Sequence, residues 1–205
     1  MRIEILGNIG AGKTETCKEI IKRTGLHFFR EEFEDNPFLP DFYATKSLQE
    51  HNRFCFPLQI WFLTTYLRQF EERKKLNSFI LDAGAITGFA YVSNQKELGL
   101  LSSDEYLTYM NFVMQLKEHL IDDKTHRIYL DVPPEVCFHR ITQLRQREME
   151  SDMSLDYLKG MAETYHQVNS QFGVHELKLT GEESIEEVAD SVLSLISGLE
   201  HQSSE

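Results

Sequence analysis

With 205 residues, 41% of them hydrophobic and 26% charged, the chain has the size of one domain that can bury a core without cross-links. A net charge of −12 argues against nonspecific binding to nucleic acid or to an anionic membrane, though not against a small anionic ligand held by clustered arginines. Three widely spaced cysteines, Cys17, Cys55 and Cys137, form no C-x-x-C pair, which speaks against a disulfide framework or a zinc site and for buried thiols in a reducing compartment.

The first element is a strand, "RIEIL" (2–6); the N-terminal stretch around it is too short and too charged for a signal peptide. No apolar run approaches the roughly 18 residues of a membrane span, so a cytoplasmic protein without a membrane partner is expected. Further strands are predicted at 26–30, 79–82, 126–131 and 175–180. Helical spacing follows most of them. A long helix over 48–76 carries aromatics on one side, and another is predicted from Ser103, as N-cap, to Ile121. "PPEVCFHRITQLRQR" opens a helix with proline, whose missing N–H costs nothing there; helices over 155–168 and 184–196 complete the set. Such alternation predicts an α/β fold: a parallel five-stranded sheet flanked by helices on both faces. Residues 1–198 read as one domain and 199–205 as a polar tail. Ligands in such sheets sit beyond the strand C-terminal ends, which draws Gly7, Glu31, Asp82 and Asp131 toward one edge.

"GNIGAGKT" (7–14) fits G-x-x-x-x-G-K-[ST] between a predicted strand and a predicted helix, the context that motif requires. Gly7, Asn8, Ile9, Gly10, Ala11, Gly12, Lys13, Thr14 and Glu15 are therefore expected to hold a nucleotide. The glycines let backbone N–H groups converge on phosphate oxygens, Lys13 reaches the β- and γ-phosphates, and Thr14 holds Mg²⁺. A chance glycine-rich turn is the alternative. Arg140, Arg145 and Arg147 cluster near a helix end, where they can neutralise a transferring phosphoryl group or simply form a solvated, dipole-complementing face. "FREEFEDNPFL" leaves the second strand with four acids. A kinase acting on a hydroxyl needs a carboxylate to take its proton, and Glu31 is best placed; Glu32, Glu34 and Asp35 are then ordinary solvated acids.

The order "GNIGAGKT", "EEFEDNPFLPDFY", "FPLQIWFL", a strand ending in Asp, "YLDVPPEVCFHRI" and "SLDYLKGMAETY" resembles the deoxynucleoside kinase family, with its bacterial deoxyadenosine/deoxyguanosine kinase branch the most similar. The resemblance extends to about residue 170. It implies a three-layer P-loop kinase fold, ATP and Mg²⁺ as donor and cofactor, and a nucleoside-like small-molecule acceptor. It also implies that Glu31 is the base for the 5′-hydroxyl, that Asp82 helps hold Mg²⁺, and that Gln59 and Tyr43 meet the base and the sugar. By the same resemblance a lid at about 140–152 carries Arg140, Arg145 and Arg147, and its acid Glu150 also touches the sugar; one extra residue separates Arg140 from the later pair. Without the resemblance, Gln59 reads as a satisfied core amide and Tyr43 as packing. A helix-packed homodimer is implied as well, with the aromatic helix 54–70 at the interface or simply in the core.

Three positions depart from the family pattern. Ala83 stands where an arginine follows the acid, Gly88 where an aspartate faces the base, and Tyr66 where an arginine pairs with that aspartate. Loss of both partners together is physically consistent, since either alone would be buried and uncompensated. A rebuilt acceptor site is one consequence. An ATP-binding regulator without kinase activity is the second reading; a nucleoside monophosphate kinase, needing a further basic group near the acceptor, is the third.

Overall fold

The computed structural model describes residues 1–44, 48–145 and 153–202. In chain order the elements are β1 (Arg2–Gly7), α1 (Lys13–Thr24), β2 (His27–Phe29), α2 (Leu39–Ala44), α3 (Leu48–Arg73), β3 (Phe79–Asp82), α4 (Ala85–Glu97) and α5 (Ser103–Gln115). They continue as β4 (His126–Asp131), α6 (Pro134–His139), α7 (Leu155–Asn169), β5 (His175–Lys178) and α8 (Ile185–Gln202). The strands form one parallel sheet in the order β2-β3-β1-β4-β5, as the strand–helix alternation predicts.

The central strands are buried because both faces are covered. Ile3 and Ile5 of β1, with Ile128 and Leu130 of β4, pack against Cys17 and Ile20 of α1 and Val188, Val192 and Ile196 of α8. The opposite face carries Leu6 and Tyr129, packed with Leu63 of α3, Ile86 and Phe89 of α4, and Met161 and Tyr165 of α7. Each such aliphatic side chain contributes about 1.5–3 kcal/mol by leaving water. The exception is Glu4, in the middle of β1 and buried. Its register partner on β4 is Arg127, whose Nε lies 3.3 Å from Glu4 Oε2. Burial raises the Glu4 pKa, and Arg127 and Arg73 pull it partly back. All three cysteines are buried free thiols, as expected.

Several boundaries differ from expectation. Ser103 is the first residue of α5, not its cap: Ser102 Oγ accepts from the Glu105 N–H while the Glu105 carboxylate accepts from the Ser102 N–H, a reciprocal capping box. The helix ends at Gln115, and a 3₁₀ turn over Lys117–His119 covers part of the remaining stretch expected as helix. The long helix ends at Arg73 rather than 76. Conversely α8 runs past Gly198 to Gln202, into the stretch read as a polar tail. No helix among the described residues is long and apolar enough to cross a membrane.

Candidate active site

One cavity of about 810 Å³ opens along the C-terminal edge of the sheet. The phosphate loop leaves β1 and enters α1 through Gly10 (φ 81°) and Gly12 (φ 96°), left-handed conformations that side chains with a Cβ resist. A Cβ at Gly10 would also lie 2.8 Å from the Cys137 carbonyl oxygen. Gly12 offers no side chain to cap α1, so the first-turn N–H groups remain available to an anion. Lys13 curls over the loop, its Nζ donating to the carbonyls of Gly7 (3.0 Å) and Asn8 (3.2 Å). Asn8 turns inward: Nδ2 donates to Leu158 O at 2.7 Å, and Oδ1 accepts from the Ile9 N–H at 2.9 Å. Its side chain therefore shapes the loop instead of facing the cavity. Glu15 lines the cavity and pairs with Lys18 at 2.7 Å.

Thr14 Oγ1 donates to Asp82 Oδ2 at 2.5 Å, joining the phosphate loop to the end of β3. Asp82 is 2% exposed, and its Oδ1 is buried without a hydrogen-bond partner among the described residues. A hydroxyl and a half-satisfied carboxylate beside a phosphate site are the hard oxygen donors that Mg²⁺ takes alongside nucleotide phosphates, so the pair fits that ion. Ala83, next in the chain, is buried with φ 62°, the one non-glycine residue with positive φ among those described. Left-handed backbone costs an L-residue about 1–2 kcal/mol, and glycine gives part of that back as chain entropy. Ala83→Gly is expected to raise the melting temperature by about 1–4 °C, corresponding to ~0.5–1 kcal/mol, in a thermal scan.

Glu31, beyond the end of β2, lines the same cavity together with Tyr43 and Gln59. The segment between Glu31 and Tyr43 is fastened by buried Asn36, whose Nδ2 donates to Leu58 O at 3.4 Å while Oδ1 accepts from the Phe38 N–H at 3.0 Å. Glu32 is not merely solvated: it pairs with Arg68 and accepts from Gln69 Nε2 at 3.3 Å. Glu34 does remain an exposed acid, paired with Arg30 at 3.3 Å. Of the strand ends expected at this edge, Glu31 and Asp82 line the cavity and Gly7 presents its carbonyl to Lys13. Asp131 instead faces His166, with Oδ1 3.6 Å from Nε2, and is not a cavity residue.

Arg140 lines the cavity and is anchored to backbone, Nη2 to Gly181 O at 3.0 Å and Nη1 to Gly10 O and Ala11 O at 3.4 Å each. It begins a π-helical stretch, Arg140–Arg145, that follows α6 directly. Arg147, Glu150 and the rest of the expected lid to residue 152 lie outside the described residues.

The turn into α8 borders the cavity through Glu183, Ser184 and Ile185, the first residue of the helix, which sequence reasoning missed. The Glu183 carboxylate accepts from the N–H groups of Thr180 and Gly181, each at 2.9 Å, which holds its pKa down at about 2. An acid with a lowered folded pKa adds stability above its ordinary value of 4.5 and loses it as pH falls toward 2. Acid titration should therefore loosen this turn, and Glu183→Gln should flatten that part of the stability–pH curve. Also unforeseen are Tyr91, Gln95 and Tyr157, which line the cavity with Phe62 and Tyr66.

A phosphate-binding helix start joined by one cleft to a carboxylate and an amide-and-tyrosine-lined chamber gives this α/β fold the layout of a P-loop phosphotransferase. The chain belongs to the deoxynucleoside kinase family, whose family model matches residues 3–199. It is 31% identical to a deoxyadenosine kinase of Dictyostelium discoideum over 80% of this chain and 65% of that one. It is 30% identical to the deoxyadenosine/deoxycytidine kinase of Bacillus subtilis over 95% of this chain and 92% of that one. A solved deoxyadenosine kinase from M. mycoides with bound dATP superposes with a TM-score of 0.83 at 23% identity, covering 96% of this chain and 100% of that one. That match shares the fold, and the family the sequence resembles is the family found.

Proposed function

We propose that the protein transfers the γ-phosphoryl group of ATP to the 5′-hydroxyl of a deoxynucleoside. The observation that carries this reading is continuity: Lys13 and Thr14, Glu31, and Gln59 all border the same cavity. Family membership, coverage of 92% of the Bacillus relative and the names of the relatives all support it.

Residues 7–15 hold the donor phosphates through the α1 N-terminus, with Lys13 exchanging its two loop carbonyls for phosphate oxygens. Thr14 and Asp82 hold Mg²⁺, which when bound neutralises charge on the β- and γ-phosphates. Glu31 takes the proton of the attacking hydroxyl. Gln59 holds the base, while Tyr43 and Glu150 position the sugar. Arg140, Arg145 and Arg147 supply positive charge to the phosphoryl group in flight, and closure of the lid that carries them excludes water. The protein is a cytoplasmic homodimer in this reading, consistent with exposed Leu107, Phe112 and Met114 on α5.

A monophosphate acceptor is disfavoured. Besides Lys13 and Arg140, the cations lining the cavity among the described residues are Lys18 and Arg30, and each is paired with a glutamate. The test is ADP release with deoxyadenosine, deoxyguanosine, deoxycytidine and thymidine at varied Mg²⁺. Nucleoside-stimulated release is expected, with Asp82→Asn raising the Mg²⁺ needed for half-maximal rate; nucleoside-independent ATP hydrolysis alone would contradict the reading.

A further inference from the structure

Along α4, Gly88, Tyr91 and Gln95 are spaced as one helical face, and all three border the cavity. The first of them carries no side chain and has no room for one: a Cβ there would lie 2.7 Å from Tyr109 Oη and 3.1 Å from Tyr66 Cε2. Further along that face stands Gln95, only 1% exposed yet part of the cavity wall. Its Oε1 is occupied, accepting from Cys55 Sγ at 3.1 Å. Among the described residues the Gln95 side chain makes no other hydrogen bond. Burial pushes the Cys55 thiol up to about 12, so it stays protonated and remains a donor. With the oxygen fixed on the α3 side, the amide's two N–H donors are left for whatever fills the cavity. A buried amide without an acceptor is costly, so an occupant that supplies one is favoured.

Cys55 is one turn before Gln59 on α3, so the two glutamines stand on neighbouring helices at the same end of the cavity. We propose that Gln95, oriented by Cys55, is a second base-reading amide, donating to a ring nitrogen or carbonyl oxygen of the nucleobase, a contact that position 88, closed off by Tyr109 and Tyr66, cannot supply. The ligand class is a neutral base read by two amides, with no charged group in the reading pair. This rests on the nucleoside kinase reading above. Removing a hydrogen bond that a site is built around shifts selectivity far more than a change in pocket size does.

The test is kcat/KM for deoxyadenosine, deoxyguanosine, deoxycytidine and thymidine, together with KM for ATP, in the wild type, Gln95→Leu, Gln95→Met and Cys55→Ala. Both Gln95 variants should lose about tenfold or more in kcat/KM for the preferred nucleoside, chiefly through KM. The spread among the four nucleosides should narrow and KM for ATP should stay within about twofold. Cys55→Ala should narrow the spread less, because the amide is then free to turn. If either Gln95 variant keeps the wild-type order and ratios, whatever its overall rate, the proposal is overturned. A wild type that phosphorylates none of the four would overturn the kinase reading itself, and with it this assignment.

Discussion

Glu31→Gln is expected to lower kcat for nucleoside phosphorylation by about 10²–10⁴-fold, the range a positioned general base supplies. ATP affinity should change by less than about twofold, because the donor end of the cavity is built from the loop at residues 7–15 and from Asp82, not from Glu31. The amide is nearly isosteric with the carboxylate but cannot take the proton. Turnover by stopped assay and ATP binding by calorimetry separate the two effects. An unchanged kcat would remove Glu31 from the chemistry, and a parallel loss of ATP binding would show that the substitution had disturbed the fold.

The second large effect is on stability. Gly88→Asp is expected to destabilise the protein by about 3–5 kcal/mol, a fall of roughly 6–20 °C in melting temperature. Two causes add. The new Cβ overlaps Tyr109 Oη and presses on the Tyr66 ring. The carboxylate is then enclosed by two tyrosines whose own burial already raises their pKa values, and no cation among the described residues is seen to stand in for the arginine absent at Tyr66. Combining Gly88→Asp with Tyr66→Arg should cost less than the sum of the two single changes by more than about 1 kcal/mol, since the pair then compensates itself. Strict additivity in that cycle would mean that positions 66 and 88 do not share a space.

Much of the donor half was legible in the sequence because its parts are local. A strand end, a short loop and a helix start lie consecutively in the eight residues "GNIGAGKT" and their flanks, and the structure adds that Asn8 turns inward to shape the loop. Asp82 was readable as a strand end, but Asp131, which ends β4 with the same pattern, faces a histidine; sheet position alone does not say where a terminal side chain turns. α4 was harder to see. Most of it is buried, including Ile86, Thr87, Gly88, Phe89, Ala90, Asn94 and Gln95, so it shows no apolar stripe against a polar one. That also concealed Gln95, which has no motif and depends on a partner forty positions away, Cys55. The extra residue after Arg140 was visible as an irregularity. It coincides with the π-helical turn at Arg140–Arg145, a geometry that takes up an inserted residue without breaking the helix. Ala83 was legible as a missing arginine; its left-handed backbone was not, because alanine gives no signal of positive φ.

The most direct test is the identity of the phosphorylated product. With Mg²⁺, ATP and each of the four common deoxynucleosides, chromatography and ³¹P spectroscopy should find a nucleoside 5′-monophosphate and an equal amount of ADP. The product should be absent with a 5′-deoxy analogue and nearly absent with Glu31→Gln. ADP formed without any phosphorylated nucleoside, or phosphate found on the 3′-hydroxyl, would contradict the account.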